Sequence, residues 1–129
     1  MIVDASALLA VILREPDGDL HARAIADELE DLIMSPVNYV EAAVQADKLG
    51  PRTAAAFDEI IALNSIKIAC VTKDQTQLAR EAYRSYGKGN QKARLNLGDC
   101  FAYALSKARG EPLLLKGDDF SKTDVEAAI

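Results

Sequence analysis

The sequence predicts one three-layer α/β domain, in which helices cover both faces of a short-stranded parallel sheet. Three observations support this fold class. The chain has 129 residues, a usual length for a single domain, and half of them are hydrophobic. The candidate strands are short and mostly apolar, as expected for strands that are buried on both faces. Helical patterns separate successive strands, which favours parallel pairing through crossover helices.

Four short apolar runs are predicted to form the strands. Asp4 ends the first run, and the third run is β-branched at three positions. The last run is followed by the polar segment 116–119, which reads as a turn. The predicted strands are Ile2-Val3, Leu32 to Met34, Ile66 to Val71 and Leu113 to Leu115.

Apolar residues at helical spacing predict the helices between these strands. Ser6 can cap the first helix, and Ser35-Pro36 supplies an N-cap and a first helical position for the third. Gly50-Pro51 interrupts the pattern, and Gly110 ends the last helix. After the helix that follows Ser6, the predicted helices cover residues 20–29, 36 to about 49, 53–63, 73–86 and 97–109.

Composition narrows the class of protein. No apolar run is long enough for a membrane span, and no basic stretch precedes the first apolar run as in a signal peptide. Cys70 and Cys100 lie in apolar contexts, and we expect buried, reduced thiols in a cytoplasmic protein. The single histidine, His21, begins a helix that looks exposed, and we expect no catalytic role for it.

The charge of the chain is unevenly distributed. Twenty acids and 15 bases give a net charge of −5, which argues against binding nucleic acid by bulk charge alone. Between Ala82 and Gly98, however, there are bases and no acid. This basic segment is either an RNA-backbone contact or an ordinary solvated loop. Its bases are Arg84, Lys88, Lys92 and Arg94.

Acidic residues occur next to the predicted strand ends. Asp4 follows the first strand. Glu41 lies early in the helix that follows the second strand, and Asp99 lies in the first turn of the helix that precedes the last strand. Asp118 and Asp119 follow the last strand. Sites in open parallel sheets form beyond the carboxyl ends of the strands. We therefore expect these acids to lie near one edge of the sheet.

A cluster of carboxylates needs protons or a cation, because two of them about 4 Å apart repel by roughly 4 kcal/mol at an effective dielectric of 20. With no Cys/His set in the sequence, Mg²⁺ or Mn²⁺ suits such a cluster. A cation of this kind can activate water and neutralise charge on a phosphodiester. The acids and the adjacent basic segment together predict phosphoryl chemistry on nucleic acid.

Each acid also has a structural explanation. Asp99 can serve only to cap its helix, Glu41 can lie on a solvated helix face with Asn38, and Asp118-Asp119 can form a turn. Asp4 is harder to explain in this way, since an unpaired acid in an apolar stretch is expensive to bury.

Three stretches hold these acids in order and span nearly the whole chain. They are MIVDASALLAVILREP, MSPVNYVEA and LNLGDCFAYALSKARGEPLLLKGDDFSKTDV. They resemble, respectively, the first motif, the second motif, and the third and fourth motifs of PIN-domain proteins, specifically of VapC-type toxins from bacterial type II toxin–antitoxin pairs.

The resemblance implies a PIN-like α/β/α domain over residues 1–129 and a Mg²⁺- or Mn²⁺-dependent endoribonuclease. Asp4 and Asp99 would be the principal metal ligands, and Glu41 would bind the metal or orient water. The fourth acid would be Asp118 or Asp119, with Asp119 favoured because it directly precedes Phe120. One further residue, Ser6, would orient Asp4 by a hydroxyl hydrogen bond.

The resemblance also implies partners. The substrates would be structured RNAs such as tRNA or ribosomal RNA, with the basic segment (Arg84, Lys88, Lys92 and Arg94) holding the backbone. A small VapB-type antitoxin would mask the site, the toxin would form a homodimer, and no membrane would be involved.

Two alternatives come from other classes of protein. A non-catalytic module that only binds an antitoxin or dimerises would need none of the acids. An aspartyl-nucleophile phosphatase also places an Asp after its first strand, but it usually has a second Asp two residues on, where this chain has Ser6.

Overall fold

The computed structural model describes residues 1–87, 89 and 94–129. Within these residues the chain forms a four-stranded parallel sheet and six helices, which confirms the predicted three-layer α/β/α class. The strands are β1 (Ile2–Val3), β2 (Ile33–Met34), β3 (Lys67–Ile68) and β4 (Leu113–Leu114). The helices are α1 (Ala5–Ile12), α2 (Gly18–Asp27), α3 (Pro36–Lys48), α4 (Pro51–Leu63), α5 (Lys73–Tyr86) and α6 (Leu97–Arg109).

The strand order is β3-β2-β1-β4, which places β1 between two parallel neighbours. Ile2 pairs with Ile33 on one side and with Leu113 on the other, and Val3 pairs with Leu114. The first and last strands are fully buried. The residue that follows β1 is therefore held at the middle of the carboxyl edge of the sheet.

Two hydrophobic clusters cover the two faces of the sheet. Because successive strand residues point to opposite faces, Val3 joins the cluster formed with α1, α3 and α4, and Ile2 joins the cluster formed with α5 and α6. Helix α6 contacts α5 extensively and also reaches α3. This second contact brings the N-terminus of α6 towards the helix that carries Glu41.

The third strand is shorter and more exposed than predicted. Only Lys67–Ile68 pairs, both residues are exposed, and the prediction of a strand from 66 to 71 was wrong in its length. The reason is position, since β3 is an edge strand with β2 as its neighbour. Cys70 lies just beyond it and is exposed, contrary to expectation, whereas Cys100 is buried as predicted.

Two local predictions near the N-terminus were also wrong. Asp4, not Ser6, is the N-cap of α1, because its extended backbone lets the carboxylate accept the Ser6 backbone N–H at 2.9 Å. His21 is buried rather than exposed. Its Nδ1 lies 2.8 Å from the Asp17 carbonyl and its Nε2 lies 2.9 Å from the Leu115 carbonyl, so the ring ties α2 to the end of β4.

Candidate active site

Four of the predicted acids line one cavity of about 200 Å³ at the carboxyl edge of the sheet. Asp4 enters it from the end of β1, Glu41 from α3, and Asp99 from the first turn of α6. Asp119 lies at the exposed rim, after β4. Asp118 is exposed and is not among the residues that line the cavity.

Asp4 is buried and accepts hydrogen bonds on both carboxylate oxygens. The Ser6 hydroxyl donates to Oδ2 at 2.5 Å, and the Asn38 side-chain amide donates to Oδ1 at 3.2 Å. The Ser6 hydroxyl oxygen in turn accepts the Lys116 backbone N–H at 2.9 Å. Ser6 therefore links the acid after β1 to the segment after β4 that leads to Asp119.

Asp99 is both a helix cap and a lining residue of the cavity. The Asp99 backbone N–H donates to the Asn96 side-chain oxygen at 2.8 Å, and the Asn96 N–H donates to Asp99 Oδ2 at 2.9 Å. This capping box fixes the start of α6. The structural explanation for Asp99 is thus correct, and the same residue still lines the cavity.

Glu41 extends from the second turn of α3 towards the start of α6. A Cβ atom added to Gly98 would lie 2.5 Å from Glu41 Oε2, closer than real Cβ contacts allow. The carboxylate can occupy this position only because residue 98 has no side chain. The absence of a side chain at residue 98 therefore leaves room for the Glu41 carboxylate in the cavity.

The charged forms of the carboxylates in the cavity are disfavoured without a counter-charge. Burial raises the pKa of Asp99 to about 7, and Asp4, Asp119 and Glu41 add repulsion. Burial also raises the pKa of Glu41, with a further contribution from Asp4. The pKa of Asp4 is raised by burial despite its hydrogen bonds from Ser6. A divalent cation would relieve this repulsion.

The donors suit a hard divalent cation such as Mg²⁺ or Mn²⁺, since the acids supply only carboxylate oxygens. Within residues 1–87, 89 and 94–129, no three His, Cys, Asp or Glu side chains are already gathered closely enough to hold one ion. Charged carboxylates approach one another closely only when a proton or a cation offsets their repulsion.

Comparison with known proteins identifies the family to which this chain belongs. The sequence profile of the PIN domain matches residues 1–126. The chain belongs to the PIN-domain family. It is 43% identical over 128 residues to a ribonuclease VapC of Mycolicibacterium smegmatis, covering 98% of each chain. It is 40% identical over 127 residues to ribonuclease VapC30 of Mycobacterium tuberculosis, covering 97% of this chain and 95% of the other.

Solved structures confirm the PIN-like fold. VapC20 of Mycobacterium tuberculosis, a toxin described as cleaving the sarcin–ricin loop, superposes with a TM-score of 0.77 at 18% identity, covering 96% of this chain and 95% of the other. A toxin–antitoxin complex from Klebsiella pneumoniae gives a TM-score of 0.70 at 16% identity, covering 93% and 89%. The PIN-domain profile and the VapC relatives at 40% identity or more confirm the sequence resemblance to VapC-type PIN-domain proteins.

The predicted basic segment of this PIN domain is only partly described. Arg84 is exposed in the last turn of α5, and Arg94 is exposed two residues before Asn96, which lines the cavity. Lys88 and Lys92 lie outside the described residues. One exposed cation, Arg94, thus lies close in sequence to two residues that line the cavity, Asn96 and Asp99.

Two lining or supporting residues of the PIN-domain site were missed in the sequence. Asn38 is completely buried beside Asp4, although its polar stripe with Glu41 suggested a solvated face. Lys116 lines the cavity, but its ammonium group pairs with the carboxylates of Glu15 and Asp17. The available signal for Asn38 was its position one helical turn before Glu41, on the same face.

No helix in the described part of the chain is long and apolar enough to cross a membrane.

Proposed function

We propose that this PIN-domain protein is the toxin of a type II toxin–antitoxin pair and hydrolyses RNA phosphodiester bonds at the four-acid cavity. The observation that carries the proposal is the convergence of Asp4, Glu41, Asp99 and Asp119 on one cavity that opens to water. Full-length relatives at 40% identity or more are named ribonuclease VapC, which supports the same activity.

Asp4 and Asp99 would hold the cation, Mg²⁺ or Mn²⁺, with Asp119 completing the set from the rim. When bound, the cation lowers the pKa of water and neutralises charge on the phosphate. Ser6 keeps Asp4 in place through its hydroxyl. Glu41 completes the acidic cluster beside them, where it binds the cation or orients the attacking water.

The basic segment would hold the RNA backbone beside this cavity. Arg84 and Arg94 are exposed, as a phosphate contact requires, and Lys88 and Lys92 belong to the same segment by sequence. Such contacts add affinity and salt dependence without reading bases. Structured RNA, either tRNA or ribosomal RNA, is the substrate class that we propose, and the cytoplasm is the place of action.

A homodimer and a bound VapB-type antitoxin complete the proposal. Three apolar side chains beside the acidic cavity are exposed, Val40 and Val44 on α3 and Leu97 on α6. A second copy of the chain would cover them. Sedimentation of the wild type against Val40→Lys checks the dimer, since a charge in that interface would shift the protein to the monomer.

The cleavage experiment compares wild type with Asp99→Asn, both free of antitoxin, on total cellular RNA with Mg²⁺ or with EDTA. We expect discrete fragments from the wild type alone, and only with metal. Equal cutting by both proteins would place the activity elsewhere. No cutting across several RNAs would favour the non-catalytic binding module, and hydrolysis of small phosphate esters would favour the phosphatase.

The same assay separates the two adjacent acids at the rim. Asp119→Asn removes a carboxylate that lines the cavity, whereas Asp118→Asn changes an exposed neighbour outside it. We expect cleavage to fall at least about tenfold for Asp119→Asn and to stay near wild type for Asp118→Asn. The reverse result would assign the fourth acid to Asp118.

A further inference from the structure

We propose that Asn38 is a positioning residue, whose buried side-chain amide holds Asp4 and Glu41 in the arrangement that binds the divalent cation. The inference rests on the proposed metal-dependent function and adds an uncharged residue to its machinery. The acids would then be held in place before a cation arrives, by an amide on α3.

The contacts of Asn38 converge on the acids. The side chain is fully buried, with 0% exposure. Its Nδ2 lies 3.2 Å from Asp4 Oδ1, 3.0 Å from the Gly98 carbonyl oxygen and 3.5 Å from Glu41 Oε2. One amide group thus joins the acid after β1, the acid on α3 and the backbone at the start of α6.

The orientation of the amide follows from the same contacts. All three neighbours of Nδ2 are oxygen atoms that accept hydrogen bonds, so a flipped amide would place Oδ1 against three acceptors. In the observed orientation, Oδ1 is buried and has no partner among the described residues. An unsatisfied buried oxygen costs free energy. The three contacts of Nδ2, to two carboxylates and to the Gly98 carbonyl, offset that cost.

An amide suits this position better than a charged donor would. A lysine or arginine would neutralise the acids and would occupy the place of the cation. The amide of Asn38 contacts both Asp4 and Glu41 without adding positive charge, so it does not compete with the metal for the negative charge of the cluster. Gly98 leaves room for Glu41 beside this amide, because a Cβ at residue 98 would lie 2.5 Å from Glu41 Oε2.

The test measures Mn²⁺ binding to the RNA-free protein by isothermal titration calorimetry. Asn38→Leu removes the donor and keeps a similar volume. Asn64→Leu is the matched control, because Asn64 Nδ2 also donates to a backbone carbonyl, that of Ile60 at 2.9 Å, but at the end of α4. Loss of a residue that orients metal ligands typically weakens metal affinity about 10–100-fold. We expect that loss for Asn38→Leu and none for Asn64→Leu.

A second measurement separates positioning from chemistry. Since Asn38→Leu retains all four acids, we expect cleavage at saturating Mn²⁺ to return towards the wild-type rate, while the Mn²⁺ concentration for half-maximal cleavage rises in step with Kd. A fall in the maximal rate with an unchanged Mn²⁺ Kd would overturn the inference.

The remaining outcomes are also decisive. Equal Mn²⁺ Kd values for wild type and Asn38→Leu would overturn the role of Asn38 and leave the proposed function standing. A wild type that binds no Mn²⁺ would overturn the metal-dependent function itself. If circular dichroism shows that Asn38→Leu does not fold, Asn38→Ser takes its place, and an unchanged Kd in that variant would overturn the inference equally.

Discussion

The two ends of the sheet treat their acidic residues in opposite ways. At the amino end, Asp31 pairs with Lys67 at 2.7 Å, and the hydrogen bond from that lysine lowers the pKa of Asp31. Glu111 pairs with Arg109 at 2.8 Å and with the Met1 amine at 2.9 Å. Partial burial raises the pKa of Glu111, but these two partners outweigh burial and leave it below its usual value.

At the carboxyl end, the pKa values of Asp4, Glu41 and Asp99 are all raised. The described basic residue that lines this cavity, Lys116, is already paired with Glu15 and Asp17. The chain therefore neutralises these acids at the amino end, whereas no cation among the described residues forms an ion pair with the four acids of the cavity. The unbalanced negative charge at the carboxyl end would attract a divalent cation, and the bound cation would in turn attract an RNA phosphate.

The strongest test of this contrast exchanges one Glu for Gln at each end. Glu41→Gln should lower RNA cleavage more than about a hundredfold, beyond the usual effect of residues that only orient ligands, and should raise the metal-free melting temperature because it removes repulsion. Glu111→Gln should leave cleavage within about twofold and lower the free energy of unfolding by about 1 kcal/mol. Cleavage rates and thermal melts in EDTA measure both effects.

The contrast would fail if both variants behaved alike. A Glu41→Gln protein that is destabilised in EDTA would show that Glu41 is already neutralised by another part of the chain.

Gly98→Ala is a second test of the contrast between the two ends of the sheet, because it adds a Cβ next to Glu41 without changing any acid. The new Cβ would meet the Glu41 carboxylate, so we expect cleavage to fall about tenfold. Alanine is the better helix former by up to about 1 kcal/mol, so global stability should not fall in parallel. Cleavage and denaturant unfolding, measured on one preparation, separate the two quantities.

A double variant locates the cause of that loss. If the effect passes through Glu41, then Gly98→Ala adds nothing to Glu41→Gln. Additive losses would show that Gly98 acts on another residue of the cavity.

The acidic cavity also predicts an unusual dependence of stability on pH. The pKa of Asp99 is about 7 in the folded protein and has an ordinary value of 3.8. Between these values the folded state holds a proton that the unfolded state has lost, so metal-free stability should fall as pH rises from about 4 to about 7. We expect the melting temperature in EDTA to drop by about 5 °C over this range.

Adding Mg²⁺ at pH 7.5 should recover that loss, because a ligand that binds only the folded state stabilises it. A melting temperature in EDTA that rises steadily from pH 4 to pH 7 would contradict a raised pKa at Asp99.

The smallest expected effect concerns the exposed arginines. Arg84→Gln and Arg94→Gln should each weaken RNA binding modestly and reduce the salt dependence of binding by about one unit of slope. Arg109→Gln, at the amino end, is the control and should leave the slope unchanged. Filter binding to a structured RNA across several salt concentrations gives these slopes.

Much of the site was predictable because its acids stand beside strand ends. Asp4 after β1 and the acids after β4 needed only the rule that parallel strands share a carboxyl edge. Asp99 was placed by its position in the first turn of α6. The roles of these residues in metal binding and cleavage remain predictions.

Long-range packing decided what sequence could not show. Asn38 belongs to a polar stripe on α3, and only its contact with Gly98, sixty residues later, shows that the stripe is covered. Lys116 follows an apolar strand, but its pairing with Glu15 depends on how the α1–α2 turn folds back. Cys70 was misjudged for a related reason, since the exposure of an edge strand depends on what pairs beside it.

The capping roles of Asp4 and Asp99 have a consequence for what a single mutation in the gene can do. Asparagine caps a helix about as well as aspartate does, so Asp4→Asn would remove a charge and keep the N-cap of α1. Asp99→Asn, at the third position of α6, would remove a charge and keep an oxygen that can accept the Asn96 backbone N–H. A gene for this protein can therefore lose its cutting activity through one codon change while still encoding a folded product. Such a product would keep its outer surfaces, and would act as a decoy for whatever binds the intact protein.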